Sequence, residues 1–412
     1  MQDAPRVDDA PTSRRFRLLD DDLIKAAAQC WIVLAALYCA FDFPRQLTDG
    51  FTNGAGRPFG DDYVNYWSAA YLALHGQAKL VYDWTGFHAF QQSVVGEALG
   101  NYHYSYPPVL LLLSAPLGAL PYLWGWAAWT LAGWYAFYRA LIVASTRKVI
   151  LLALATPAIL LNTICGQNGT WTAALLGGGL VMIDRHPRLA GVLFGLLIYK
   201  PHFGLLLPVA LIAGRHWQTF TFAALTTVLL VGLSVVLYGA DVWQLYLFNL
   251  AQLRTVILED GTGVWHRMMS IFVASRRLGA DVPLSYAIQF AFGLVAAIVV
   301  AWSWWRDTAT SALRNALFIL GTCLTTPYLQ DYDFPFAAFV AIWLLDVGRD
   351  HPARLTSIKL SIAGVMIGPL LAAPLGVATD LAFGPLFFLP AFLIACACLW
   401  QTRPAHRNAR LA

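Results

Sequence analysis

The chain has 412 residues, 58% of them hydrophobic and only 12% charged, with a formal net charge of +4. Soluble domains carry roughly 25% charged residues, and a mean hydropathy of +0.59 leaves more apolar surface than one water-soluble core can hide. That excludes an ordinary soluble domain and predicts an all-α, polytopic transmembrane protein. The six cysteines (Cys30, Cys39, Cys165, Cys323, Cys396, Cys398) form no CxxC pair and lie mostly in apolar stretches, so they read as packing residues rather than a zinc site or disulfide framework.

Residues 1–23 are polar and lack an apolar centre followed by a small-residue cleavage site, so they read as a retained tail and not a removable signal. Apolar runs then predict about 12 spans at roughly 20 residues per crossing. They fall at 24–42, 108–138, 149–164, 171–183, 189–200, 204–214, 218–238, 283–304, 312–326, 334–347, 356–375 and 382–400, with 108–138 broken by Pro116 and Pro121. The expected organisation is a single transmembrane domain, 24–400, between cytoplasmic tails 1–23 and 401–412.

Orientation follows from the distribution of Lys and Arg. With the N-terminus inside, 19 of the 27 cations are cytoplasmic, and eight remain outside: Arg45, Arg57, Lys79, Lys200, Arg254, Arg267, Arg276 and Arg277. Cations kept on the disfavoured side are candidates for binding an anion. The outer loops, about 43–106, 165–170, 239–282 and 327–333, hold nearly all the sequence that is neither lipid-facing nor a tight turn. The first loop is long and contains two helix-like pieces, Asp62–Leu74 and Trp84–Leu99, read as interfacial helices. No internal repeat is evident, which weighs against transporter folds built from duplicated halves.

Within that loop, helical spacing from Asp62 puts Asn65, Tyr66 and Ala69 on its face, with Trp67 and Tyr71 free to anchor at headgroup level. Asp61 and Asp62 can each cap the helix or act as a functional acid, and spacing does not separate the two roles. Tyr104 to Pro108 brings the chain back into the membrane, where aromatics anchor and prolines break the helix. In Gly166-Gln167-Asn168-Gly169, two amides between glycines can hydrogen-bond a sugar or simply form a turn. Lys200, at membrane depth, either snorkels or has an anionic partner, at an insertion cost of about 2.5–3.5 kcal/mol. Trp265-His266-Arg267 and Arg276-Arg277 place cations above the apolar stretch 268–274. That arrangement suits a lipid phosphate or a solvated loop.

Taken in order, these motifs resemble the bacterial members of glycosyltransferase family 87. They are Asp62-x-x-x-Tyr66-Trp67, Tyr106-Pro107-Pro108, Gly166-Gln167-Asn168-Gly169, Tyr199-Lys200-Pro201-x-x-Gly204, a stretch with Ser270, Phe272, Arg276, Arg277, Leu278 and Gly279, and Thr326-Pro327-Tyr328 followed by Tyr332-Asp333. The resemblance runs from about Asp62 to Trp343. It implies a GT-C membrane enzyme of the bacterial cytoplasmic membrane that moves a hexose, typically mannose, from a polyprenyl-phosphate donor to a hydroxyl of a glycolipid or glycan. Transfer would invert the sugar carbon at the outer face, as in α-1,2-mannosyltransferases. The pattern makes Asp62 the expected general base. Lys200, His266, Arg267 and Arg277 are the expected donor-phosphate residues, and Asp61, Tyr66, Tyr106, Gln167, Asn168 and Asp333 the expected sugar or acceptor residues. No metal site or cofactor is expected, since Asp62 and Asp333 lack clustered carboxylates, and nucleic acid is not among the expected partners. A transporter or flippase for lipid-linked sugars is the alternative. It would also carry outer cations but would not need a helix-borne acid in a long first loop.

Overall fold

The computed structural model describes residues 21–145, 149–261, 264–306 and 308–401. The tails 1–23 and 401–412, together with Arg147 and Lys148, fall almost wholly outside these residues. Among the described residues the elements are helical, and β pairing is limited to isolated bridges.

The described residues open with α1 (Asp21–Arg45), followed by the short helices α2 (Tyr63–Leu74), α3 (Trp84–Val95) and α4 (Pro108–Ser114) and then α5 (Tyr122–Ala144). Next come α6 (Val149–Ala155), α7 (Pro157–Ile164), α8 (Gly169–Met182), α9 (Pro187–Leu196) and α10 (Leu207–Ala213). The remaining helices are α11 (Trp217–Tyr238), α12 (Ala240–Leu253), α13 (Ile271–Arg277), α14 (Val282–Trp305), α15 (Ser311–Thr325), α16 (Ala337–Asp350), α17 (Leu355–Thr379) and α18 (Gly384–Gln401).

Five of these segments are long and apolar enough to cross a bilayer: Asp22–Arg45, Trp217–Tyr238, Val282–Trp305, Pro352–Thr379 and Gly384–Gln401. Several other apolar helices are shorter, and some of them begin or end at a proline. A proline cannot donate to the helical ladder and clashes with the preceding turn. Pro157 separates α6 from α7, and Pro121 ends the run that began at Pro108. Any further crossings of the twelve-span reading have to be assembled from these pieces.

The main core lies where α15, α16, α17 and α18 meet α8 and α9, with Leu317, Phe318, Phe339 and Phe388 fully buried. A second, aromatic core sits under the segment after α1, built from Tyr63, Tyr66, Trp67, Phe87, Tyr104, Tyr122 and Trp129. The two predicted pieces of the first loop are present as α2 and α3. However, α2 does not lie with one face free: every residue from Tyr63 to Ala70 is buried. The cause is a close crossing by the turn Ala115–Ala119, where a Cβ on Gly118 would come 2.6 Å from the Ala70 carbonyl carbon. Trp67 therefore donates its indole N–H to the Leu120 carbonyl at 2.9 Å instead of standing at the surface as an anchor.

Candidate functional site

The site forms where the start of α2, the α7–α8 junction, the chain after α9, the loop before α13 and the turn Asp331–Phe336 converge. Gly60 and Asp61 both take left-handed backbone (φ 73° and 48°), conformations that glycine and, less readily, Asp tolerate. This double twist turns the two adjacent carboxylates in different directions. Asp61 accepts the Tyr102 hydroxyl at 2.6 Å, with Arg57 at 3.7 Å and Arg267 at 3.9 Å. Asp62 occupies the cap position of α2, yet its side chain makes no capping bond. Its Oδ2 instead accepts the Gln167 amide at 2.6 Å, and no cation lies within ion-pair distance among the described residues.

An acid withdrawn from water and not matched by a cation is hard to ionise. Burial raises the Asp62 carboxyl to about 6, Asp61 adds repulsion, and the Gln167 hydrogen bond and Arg267 pull it back only in part. A carboxylate poised near neutral pH is a suitable general base.

Gly166-Gln167-Asn168-Gly169 is the hub of the site. Gly166 takes φ 54°, and a Cβ on it would collide with the Tyr63 side chain. A Cβ on Gly169 would overlap the Tyr332 carbonyl. Both glycines thus admit neighbouring protein at a tight turn, one of the two readings the sequence left open. The amides are likewise engaged within the fold. Gln167 Oε1 accepts the Tyr66 hydroxyl at 2.6 Å and the Tyr106 hydroxyl at 3.3 Å, and the two phenols lie 2.7 Å apart. Asn168 donates to the Tyr66 oxygen at 3.0 Å and accepts from Lys200 at 3.0 Å.

Lys200 does not snorkel. It is 4% exposed and ion-paired with the fully buried Asp333. Asp333 also accepts the Gln330 backbone N–H at 3.1 Å, closing its own turn. Two residues away, Asp331 grips Arg267 with two parallel bonds, Nε to Oδ2 at 3.0 Å and Nη2 to Oδ1 at 2.9 Å. An antiparallel bridge between Met268 and Gln330 brings this loop against the turn. His266 sits beside Arg267, half-buried, and is held below its ordinary range by burial and by that cation. Arg277 is not brought to the cluster. It pairs with Asp380 and stacks 5.2 Å from the Trp265 ring.

On its apolar side the cluster abuts a cavity of about 370 Å³ lined by Leu110, Leu117, Trp129, Trp171, Leu196 and Tyr199 among others. Trp129 joins the two regions, packing 5.4 Å from the Tyr66 ring and donating to the Gly166 carbonyl at 3.2 Å. Among the described residues no group of three or more metal-ligating side chains is poised around one point.

The structure thus gathers Asp61, Asp62, Tyr66, Tyr106, Gln167, Asn168, Lys200, Arg267 and Asp333, with His266 at the edge and Arg277 elsewhere. Sequence reasoning missed Asp331, Arg57 and Tyr102 as ion-pair and hydrogen-bond partners. Asp331 carried a signal, since it lies two residues from Asp333 inside a motif already singled out, and so did Arg57, one of the cations on the outer side. The family model for glycosyltransferase family 87 matches residues 104–327, a range that contains Tyr106, Gln167, Asn168, Lys200 and Arg267 and stops short of Asp62 and the 331–333 turn. No curated protein and no solved structure matches the chain.

Proposed function

The chain belongs to glycosyltransferase family 87, whose model covers more than half of it, and on that premise we propose that it transfers a hexose, most simply mannose, from a polyprenyl phosphate to a hydroxyl of a glycolipid or glycan. The observation that carries this reading is Asp62. It is a carboxylate at the head of a buried helix, spent on neither a cap nor an ion pair, held by one amide and raised to about 6.

In the proposed step Asp62 takes the acceptor's proton as the acceptor oxygen forms its bond to the sugar carbon. The bond from that carbon to the phosphate oxygen breaks on the opposite side, its electron pair leaves with the phosphate, and the sugar carbon is inverted. The leaving phosphate needs positive charge more than it needs a proton. Lys200 and Arg267 are the candidate cations, and each is already paired with an aspartate. The departing group gains charge as the bond breaks, so it competes for these cations best at the transition state, where stabilisation accelerates the reaction. The apolar cavity beside Tyr199 and Trp129 suits the donor's hydrocarbon chain.

The proposed location is the outer face of the cytoplasmic membrane, with both termini inside. Cysteine tags near Asp83 and Gly261 should then react with an impermeant thiol reagent in intact cells, and tags near Arg147 and Arg349 should not. The reaction itself is tested by incubating purified protein with polyprenyl-phosphate mannose and an acceptor extract and assaying free polyprenyl phosphate. A glycosyltransferase releases it; a flippase for lipid-linked sugars leaves the donor intact.

A further inference from the structure

Tyr332 lies between Asp331 and Asp333, the two acids that hold the two cations, and its own ring touches both of those cations. Lys200 Nζ is 5.4 Å and the Arg267 guanidinium carbon 5.3 Å from the ring centroid. Each cation–ring contact is attractive, so the Tyr332 ring ties together a lysine and an arginine that come from distant parts of the chain. The turn that carries it cannot slide, because its carbonyl rests on Gly169, where no side chain would fit.

Three further features separate Tyr332 from its neighbours. Asp331 and Asp333 are buried, whereas Tyr332 keeps a small part of its surface accessible. The other phenols of the cluster are committed, Tyr66 to Gln167 and Asn168, Tyr106 to Tyr66, and Tyr102 to Asp61. The Tyr332 hydroxyl has no hydrogen-bond partner among the described residues. It lies within electrostatic reach of Tyr106, Asp333, Asp62 and Arg267, so it belongs to the same pocket as the carboxylate. Burial, with Tyr106 and Asp333 beside it, holds this phenol well above its ordinary range, so it remains a donor at any physiological pH.

We infer that Tyr332 is a further substrate-contacting residue: its hydroxyl donates a hydrogen bond to the phosphate of the polyprenyl donor, completing a three-point clamp with Lys200 and Arg267. This rests on the glycosyl-transfer reading above and goes beyond it in assigning a residue and a neutral donor to the leaving group. Two cations already shared with aspartates supply charge, and a phenol whose ring they hold adds a neutral, directed donor. The phenol keeps its proton throughout. Its bond strengthens as the phosphate oxygen gains the electron pair of the broken bond to the sugar.

The test compares full-length wild type with Tyr332→Phe and Tyr332→Leu, using polyprenyl-phosphate mannose as donor and polyprenyl monophosphate as a binding probe that needs no turnover. Tyr332→Phe keeps the ring against both cations and loses only the hydroxyl. Its kcat should fall about 10- to 100-fold, the range of one hydrogen bond to a charged group. KM for donor should stay within a few-fold, and affinity for polyprenyl monophosphate should drop more than affinity for the donor. Tyr332→Leu loses the platform as well and should also raise KM. A merely structural tyrosine would instead lower the melting temperature of Tyr332→Phe and leave the two affinities in their wild-type ratio.

Wild-type kcat in a folded Tyr332→Phe would overturn the assignment, as would a change in KM alone. A wild type that releases no polyprenyl phosphate would remove the transfer reading and the clamp together, whereas an active wild type with an equally active Tyr332→Phe would remove only the clamp.

Discussion

Asp62 and Asp333 are carboxylates of one cluster, and the fold treats them in opposite ways. Asp333 is buried at 0% exposure against a lysine and caps its own turn. Asp62 is half-buried, faces a glutamine amide, and caps nothing. Charge pairing makes the 331–333 turn a support, because each acid there is held by a cation whose removal would leave it buried without a partner. The start of α2 lacks that compensation, so its carboxyl is left without a cation and raised to about 6. The contrast separates the residues that build the site from the one expected to do the chemistry, although all are Asp and all lie in motifs of similar length.

The largest effect should come from breaking the support. Lys200→Ala leaves Asp333 buried without its cation, and removal of one partner of such a pair costs about 3–5 kcal/mol. Thermal unfolding in detergent should register this as a large drop in melting temperature. A second change, Asp333→Asn, should recover much of it because the orphaned charge is gone. If Lys200→Ala melts like wild type, the ion pair is not the support described here.

A smaller effect should come from the link between the two regions. The Gln167 bond lowers the Asp62 carboxyl, so Gln167→Met removes a stabiliser of the ionised form and should raise it further above about 6. A base works deprotonated, so the acid limb of kcat/KM against pH should move to higher pH, by roughly one unit for the loss of one charge-assisted bond. An unmoved limb would detach Gln167 from the base. The smallest effect is expected at Asp61. Its hydrogen bond from Tyr102 can be made to an Asn oxygen equally well, so Asp61→Asn should leave transfer rates within a few-fold.

Much of the site was legible in the sequence because its motifs are short and contiguous. The Gly166–Gly169 run, Lys200 and the 326–333 stretch each proved to be a turn of the cluster. The illegible part is what side chains do across long sequence separations. Nothing local says that Lys200 meets Asp333, that Arg267 meets Asp331, or that the glycines at 166 and 169 are there to admit Tyr63 and Tyr332. Trp67 shows the same limit, since an aromatic in a membrane protein reads as an interfacial anchor until Gly118 is seen to let the turn Ala115–Ala119 close over α2. The fold class followed from composition alone. The subdivision of apolar runs did not, because a proline divides the run at Pro121 and Pro157 but lies inside a continuous helix at Pro369, Pro374 and Pro390.

The ionisation of Asp62 also has a sign in stability. Folding raises this carboxyl from the ordinary range to about 6, so the folded state holds the proton more tightly than the unfolded chain does. Stability from this group is fully present below the ordinary carboxylate range and is lost as pH rises through about 6. Asp62→Asn, which removes the charge, should therefore be at least as stable as wild type at pH 7.

That variant gives the most direct measurement of the central claim. Asp62→Asn keeps the shape and a hydrogen-bonding oxygen but abolishes basicity, so turnover of polyprenyl-phosphate mannose at pH 7 should fall by ~10²–10⁴-fold, the range of a general base. Polyprenyl monophosphate should bind as before and the melting temperature should hold or rise. A folded Asp62→Asn that transfers sugar at the wild-type rate would contradict the account.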